Sequence, residues 1–146
     1  MFSIKILIDQ GWIAPVYEHV HHGTCLSLLE QARAGFVAAI GFPNEELLQQ
    51  GKVIVVTRVD VSYKREVKRG EVLATCDRVT CEGRTIRIAQ RVINERGKAA
   101  VEGVVDLMFM DIKTRRGMDI PPDFLQALLA EAAKLEKDLK LAPTAS

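Results

Sequence analysis

The chain lacks most of the features that would assign it quickly. Its 146 residues hold three cysteines, Cys25, Cys76 and Cys81, with no CxxC pair among them. An odd, scattered set argues against a disulfide framework and for reduced thiols packed as small apolar side chains. No apolar run approaches the roughly 20 residues that span a bilayer. The opening MFSIKILIDQ has no basic region followed by an apolar stretch and cleavage site, so a soluble, cytoplasmic protein is expected. Excess charge of either sign is missing too: 20 basic and 19 acidic side chains leave a formal net charge of +1. Neither nucleic acid nor a membrane surface is therefore an expected partner, and any anion site must be local. There is no GxSxG elbow, internal repeat or interdomain linker, which argues against a serine-triad hydrolase and favours one domain.

What remains is a 48% hydrophobic composition, ample for one core, distributed with clear periods. Phe2, Ile4, Ile6 and Ile8 alternate with mostly polar neighbours, which predicts a half-buried strand over Phe2–Asp9. The stretch GTCLSLLEQARAGFVAAIGF predicts a helix from Thr24 to Ile40, entered at Gly23 and Thr24 and ended by Gly41. Its apolar residues go most of the way round, as in a helix enclosed by other structure. A short helix, NEELLQQ, follows Pro43. From Val53 the period becomes two, with Val53, Val55, Thr57, Val59, Val61 and Tyr63 expected on one face. Three more strands follow, near Glu71–Cys81, Arg84–Glu95 and Ala99–Ile112, joined by KREVKRG, EG and RGK and read as an antiparallel meander. An amphipathic helix after Pro121 and Pro122 and a frayed tail, LAPTAS, complete the chain. The boundaries are a principal domain over 1–122 and a C-terminal helix and tail over 123–146 packed on or beside it. One strand, an enclosed helix and four long strands form an α+β fold in which a curved antiparallel sheet wraps a central helix. Its open edges favour pairing with a second copy, giving a homodimer or a dimer of dimers.

All three histidines lie in YEHVHHGTC, residues 17–25. A metal site is one reading, since His19, His21, His22 and Cys25 are acceptable zinc ligands. Against it, the adjacent His21 and His22 tend to diverge and no second ligand pair is visible. No metal or other cofactor is expected. Cys25 at a helix start would be a stabilised thiolate or a packed side chain, and packing is preferred. Glu30 and Arg33 can pair on one helix face.

HVHHGTCLSLLEQARAGFVAAIG resembles the H-V-N-N-x-x-Y-L-x-x-L-E-x-A-R pattern that opens the central helix of hotdog-fold acyl thioesterases, the 4-hydroxybenzoyl-CoA thioesterase-like superfamily. His19, Val20, Leu26, Leu29, Glu30, Ala32 and Arg33 match, and Gly41 closes the helix. YKREVKRGE is similar to that family's Y-x-R-P-x-x-x-G-D turn. Tyr63, Arg65 and Gly70 match, Glu71 is conservative, and Glu66 replaces the usual proline. The resemblance spans about 2–122 and implies a hotdog fold and hydrolysis of an acyl-CoA or acyl-carrier-protein thioester. It also marks departures. The family's catalytic aspartate, ten residues before the motif tyrosine, corresponds to Pro15 here, and the paired asparagines to His21 and His22, a histidine at the latter place also occurring in one branch. An Asn-x-His pair of another branch corresponds to Tyr17 and His19.

Thioester hydrolysis needs a base or nucleophile and donors for the developing oxyanion. With proline at 15, the catalytic candidates are Glu18, His19 and His22, although Glu18 also reads as a solvated loop charge. The helix start at Gly23 and Thr24 supplies amides and a favourable dipole. For coenzyme A phosphates the candidates are Arg65, Lys68 and Arg84, among a wider basic set of Lys64, Arg69, Arg87 and Arg91 that reads equally as edge and turn charge. The alternative to an enzyme is a catalytically silent acyl- or CoA-binding module or accessory subunit, motivated by Pro15.

Overall fold

The computed structural model describes residues 1–141. The expected C-terminal tail, Leu141 excepted, lies outside the described residues. The order is β1 (Phe2–Ile8), a 3-10 turn, β2 (Ile13–Ala14), β3 (His19–Val20), α1 (His22–Ala39), α2 (Asn44–Gln49), β4 (Lys52–Tyr63), β5 (Gly70–Cys76), β6 (Arg78–Glu82), β7 (Thr85–Ile93), β8 (Ala99–Asp111), β9 (Gly117–Met118) and α3 (Pro122–Leu141). The main sheet runs β1-β5-β7-β8-β4, with β6 on β7 and β9 on β8. This is a mixed α+β architecture with a large antiparallel sheet, the hotdog fold.

The register explains the alternation. Ile4 and Ile6 stand opposite Ala74 and Val72, Ala74 opposite Val92, and Ile86, Ile88 and Val92 opposite Leu107, Val105 and Val101. Residues directly opposite in a ladder share a face, so these rows form one apolar surface. Against it α1 buries Leu28, Leu29, Ala32, Phe36 and Val37. Gln90 is the polar exception in that surface, at 1% exposure. Its Nε2 donates to the carbonyls of Leu29 and Thr75, and its Oε1 accepts from Arg33 Nη1, so its polar groups are satisfied. α3 adds Phe124, Leu128 and Leu135, with Phe124 edge-on to Phe42 and Phe109.

Three expectations change. β4 pairs with β8, not with β5, so the four long strands are not a simple meander and Lys64–Arg69 carries the chain from one side of the sheet to the other. The period of two in β4 also breaks, because a bulge between Val56 and Arg58 leaves Thr57 without a partner. Ile54 and Val56 then share a face with Val59, Val61 and Tyr63, while Val53 and Val55 turn to the opposite face with Arg58 and Asp60. Finally, the strand read as Glu71–Cys81 divides at Asp77. That carboxylate accepts from Thr75 Oγ1 and from Arg91 Nε at 2.9 and 2.8 Å.

Gly103 marks the tightest approach in the sheet. A Cβ there would lie 2.1 Å from the Asp60 carbonyl oxygen and 2.6 Å from Val61 Cα. Because the neighbours are backbone atoms of the adjacent strand, Gly103→Ala forces β4 and β8 apart and is expected to cost at least about 1–3 kcal/mol, measured by denaturant unfolding. An unchanged unfolding midpoint would show that β4 does not press on β8 here.

Candidate active site

The histidine stretch forms two pieces of structure. Pro15–Glu18 is a turn between the short strands β2 and β3, in which Ile13 and Ala14 pair with Val20 and His19. The amides of Tyr17 and Glu18 both donate to the Ala14 carbonyl, and Glu18 adopts φ 57°. Val20 N–H then donates to the Val67 carbonyl at 2.8 Å, fastening β3 to the Lys64–Arg69 crossover. Two stretches distant in sequence are thereby set side by side.

α1 begins at His22, earlier than the expected Thr24, because His21 caps it. The His21 Nδ1 accepts from Gly23 N–H at 3.1 Å. First-turn amides have no partner within the helix, so this bond leaves those of His22 and Thr24 for a ligand or solvent and withdraws that of Gly23. His21→Ala is expected to lower stability by about 1 kcal/mol, the usual value of an N-cap, and His21→Asn to retain most of it. Thermal unfolding of the two variants checks this, and equal losses in both would rule the cap out.

Between the helix start and the crossover lies a cleft of about 310 Å³, lined by His19, Val20, His22, Cys25, Tyr63, Lys64, Arg65, Glu66 and Val67. Tyr63 Oη donates to the His22 carbonyl at 2.9 Å, and its ring meets His22 edge-on. Partial burial holds the Tyr63 phenol above its ordinary pKa, with a smaller contribution from Cys25. Cys25 is 2% exposed, and burial pushes its thiol up, the opposite of what a thiolate nucleophile needs. His19 Nδ1 lies 2.9 Å from the Val20 carbonyl. A carbonyl only accepts, so the bond places a proton on Nδ1, and Nε2 is the ring nitrogen left for a ligand. Nε2 is 4.0 Å from Glu66 Oε1.

Of the candidates, His19, His22 and Arg65 line this cleft, while Gly23 and Thr24 do not and sit in the helix turn that begins at His22. Glu18 is exposed and does not line it. Arg65 also lines an adjoining cleft of about 380 Å³, together with Lys68, Arg69, Arg96 and the carboxylates Glu66, Glu71 and Glu95. Arg65 and Glu66 are common to both. Arg84 lies elsewhere, bonded to Asp119 and the Gly117 carbonyl. Arg87 and Arg91 pair with Asp106 and Asp77 and line neither cleft. Among the described residues, no three His, Cys, Asp or Glu side chains are placed to share a metal ion, and no helix is long and apolar enough to cross a membrane. Glu66 is the residue that sequence reasoning passed over. Its only signal was a carboxylate where the family turn has proline.

A family model described as the thioesterase-like superfamily matches residues 8–128. The chain belongs to that superfamily. Its fold is similar to that of a DHNA-CoA thioesterase from Staphylococcus aureus, with 19% identity, TM-score 0.80 and 96% and 95% of the two chains covered. A hypothetical protein from the same organism, solved in complex with CoA, gives 17%, 0.81, 99% and 87%. A hypothetical protein from Thermus thermophilus gives 21%, 0.81, 89% and 98%. No curated protein sequence matches the chain. At these identities the solved structures speak for the fold, and the superfamily membership for the broad chemical class.

Proposed function

We propose that the protein is an acyl thioesterase hydrolysing an acyl-CoA or acyl-carrier-protein thioester in the His19–His22 cleft. The observation that carries this reading is the His19 ring, whose Nδ1 is turned onto the Val20 carbonyl and whose Nε2 is left toward Glu66 in the cleft, beside a helix start with amides to spare. His19 takes the proton of the attacking water. The amide of His22, which lines the cleft at the helix start, stabilises the oxygen of the tetrahedral intermediate, aided by the helix dipole. His22 shapes the cleft through its contact with Tyr63. The phosphate-bearing arm of coenzyme A extends over Arg65 and Lys68 in the adjoining cleft. An acidic carrier protein would meet the same basic residues. Exposed Val56, Val59 and Tyr63 along the open edge of β4 support a homodimer joined there.

The test is a screen of thiol release from acetyl-, octanoyl-, palmitoyl- and benzoyl-CoA, with CoA-ester binding measured in parallel. Hydrolysis of at least one ester is expected. Saturable binding with no hydrolysis would instead mark a silent binding module, the reading that Pro15 at the family's aspartate position favours. On the hydrolysed ester, Lys68→Ala is expected to raise KM several-fold with little change in kcat, because a remote phosphate contact binds substrate and transition state alike. A fall in kcat alone would remove Lys68 from the binding surface.

A further inference from the structure

Position 15 is proline and Glu18 lies outside the cleft, and the carboxylate that does line the cleft beside His19 is Glu66, on the crossover. Glu66 is held from both sides along the chain. Arg65 N–H donates to the Ala100 carbonyl at 3.1 Å and Arg65 Nη1 to the Ala99 carbonyl at 2.7 Å, while Val67, 2% exposed, accepts from Val20 N–H. That last bond ties Glu66 to the strand bearing His19. The Glu66 carboxylate is divided between two neighbours. Oε2 lies 3.6 Å from Lys68 Nζ, and Oε1 faces His19 Nε2 at 4.0 Å. The second separation is too long for a direct hydrogen bond and suits a single bridging water.

We propose that Glu66 is the catalytic carboxylate of this cleft, holding the attacking water together with His19 Nε2. The inference rests on the thioesterase reading and adds a residue that the family turn does not supply. As the water oxygen forms its bond to the thioester carbonyl carbon, its proton passes to Nε2, and Glu66 Oε1 stabilises the resulting imidazolium. The intermediate then collapses with cleavage of the C–S bond. The electron pair leaves on sulfur, and the imidazolium returns its proton there, giving the acid and the free thiol. No oxidant or further reactant is needed. Glu66 is more than half exposed and shared with Lys68, so screening limits its contribution to a modest part of the rate enhancement.

The experiment is a double-mutant cycle in kcat and KM on the ester that the wild-type protein hydrolyses fastest in the acetyl-, octanoyl-, palmitoyl- and benzoyl-CoA screen. Glu66→Gln, which keeps the shape and removes the charge, is expected to lower kcat at least about 10-fold with KM held within about twofold. Glu66→Asp should fall between it and wild type. Adding Glu66→Gln to His19→Ala should cost nothing further, because the two groups act on one water. Wild-type kcat in Glu66→Gln beside a crippled His19→Ala would overturn the role of Glu66 while leaving the thioesterase reading intact. Losses that multiply in the double variant would also overturn it, by showing that Glu66 acts apart from His19. Absence of hydrolysis by the wild-type protein on all four esters would overturn both.

Discussion

Leu29→Ala is expected to remove about 2–5 kcal/mol of stability, the range for truncating a fully buried leucine. Leu29 is 0% exposed and belongs to the α1 face that packs on the sheet. Its own carbonyl accepts from Gln90 Nε2, which anchors the helix backbone to β7 there and limits how far α1 can settle into the space left behind. Sites that cannot collapse lie toward the upper end of the range. Leu48→Ala is the internal comparison: Leu48 is 59% exposed on α2 and should change stability by no more than about 0.5 kcal/mol. Urea unfolding of both variants measures the difference, provided the slope against denaturant stays that of the wild type. A loss below about 1 kcal/mol for Leu29→Ala would mean that α1 is not the centre of the core.

The apolar rows were legible because side-chain direction in a strand has a period of two, and Phe2, Ile4, Ile6 and Ile8 stand on one face as their spacing implies. Thr57 shows where that reasoning stops. A bulge adds one residue with no compositional signal, and every assignment before it in β4 changes face. Strand order was equally hidden, since alternation says which side a residue faces and nothing about which strand lies beside it. β4 next to β8 is a property of the whole sheet.

The site was legible in part for a related reason. His19 and His22 stood out as members of a histidine cluster, and Arg65 through its motif. That they line one cleft depends on a single backbone bond, Val20 N–H to the Val67 carbonyl, made by groups that every non-proline residue possesses. His21 was hidden because a histidine cap is uncommon and its ring lone pair, rather than a hydroxyl or carboxylate, accepts from Gly23 N–H. The β2–β3 hairpin is too short to show a period. It nevertheless determines that Glu18 occupies an exposed turn and His19 the cleft.

In the proposed mechanism the functional consequence of that hairpin is concentrated in one ring. His19→Ala is expected to lower kcat about 10²-fold or more, the usual contribution of a positioned general base, while KM for the CoA ester changes little. The separation follows from position. Nε2 lies 4.0 Å from Glu66 Oε1, where the proposed water would sit, whereas the phosphate arm would be held by Arg65 and Lys68 in the adjoining cleft. An interaction made only in the transition state lowers kcat and kcat/KM together. Stability should hold, because the His19 ring makes one hydrogen bond, to the neighbouring Val20 carbonyl, and β3 remains fastened by the backbone of Val20. Steady-state kinetics and thermal unfolding on the same preparation separate the two effects. Wild-type turnover in a folded His19→Ala protein would place the base outside this cleft. A rise in KM with kcat intact would make His19 a binding residue, leaving the proton transfer to another group or to solvent.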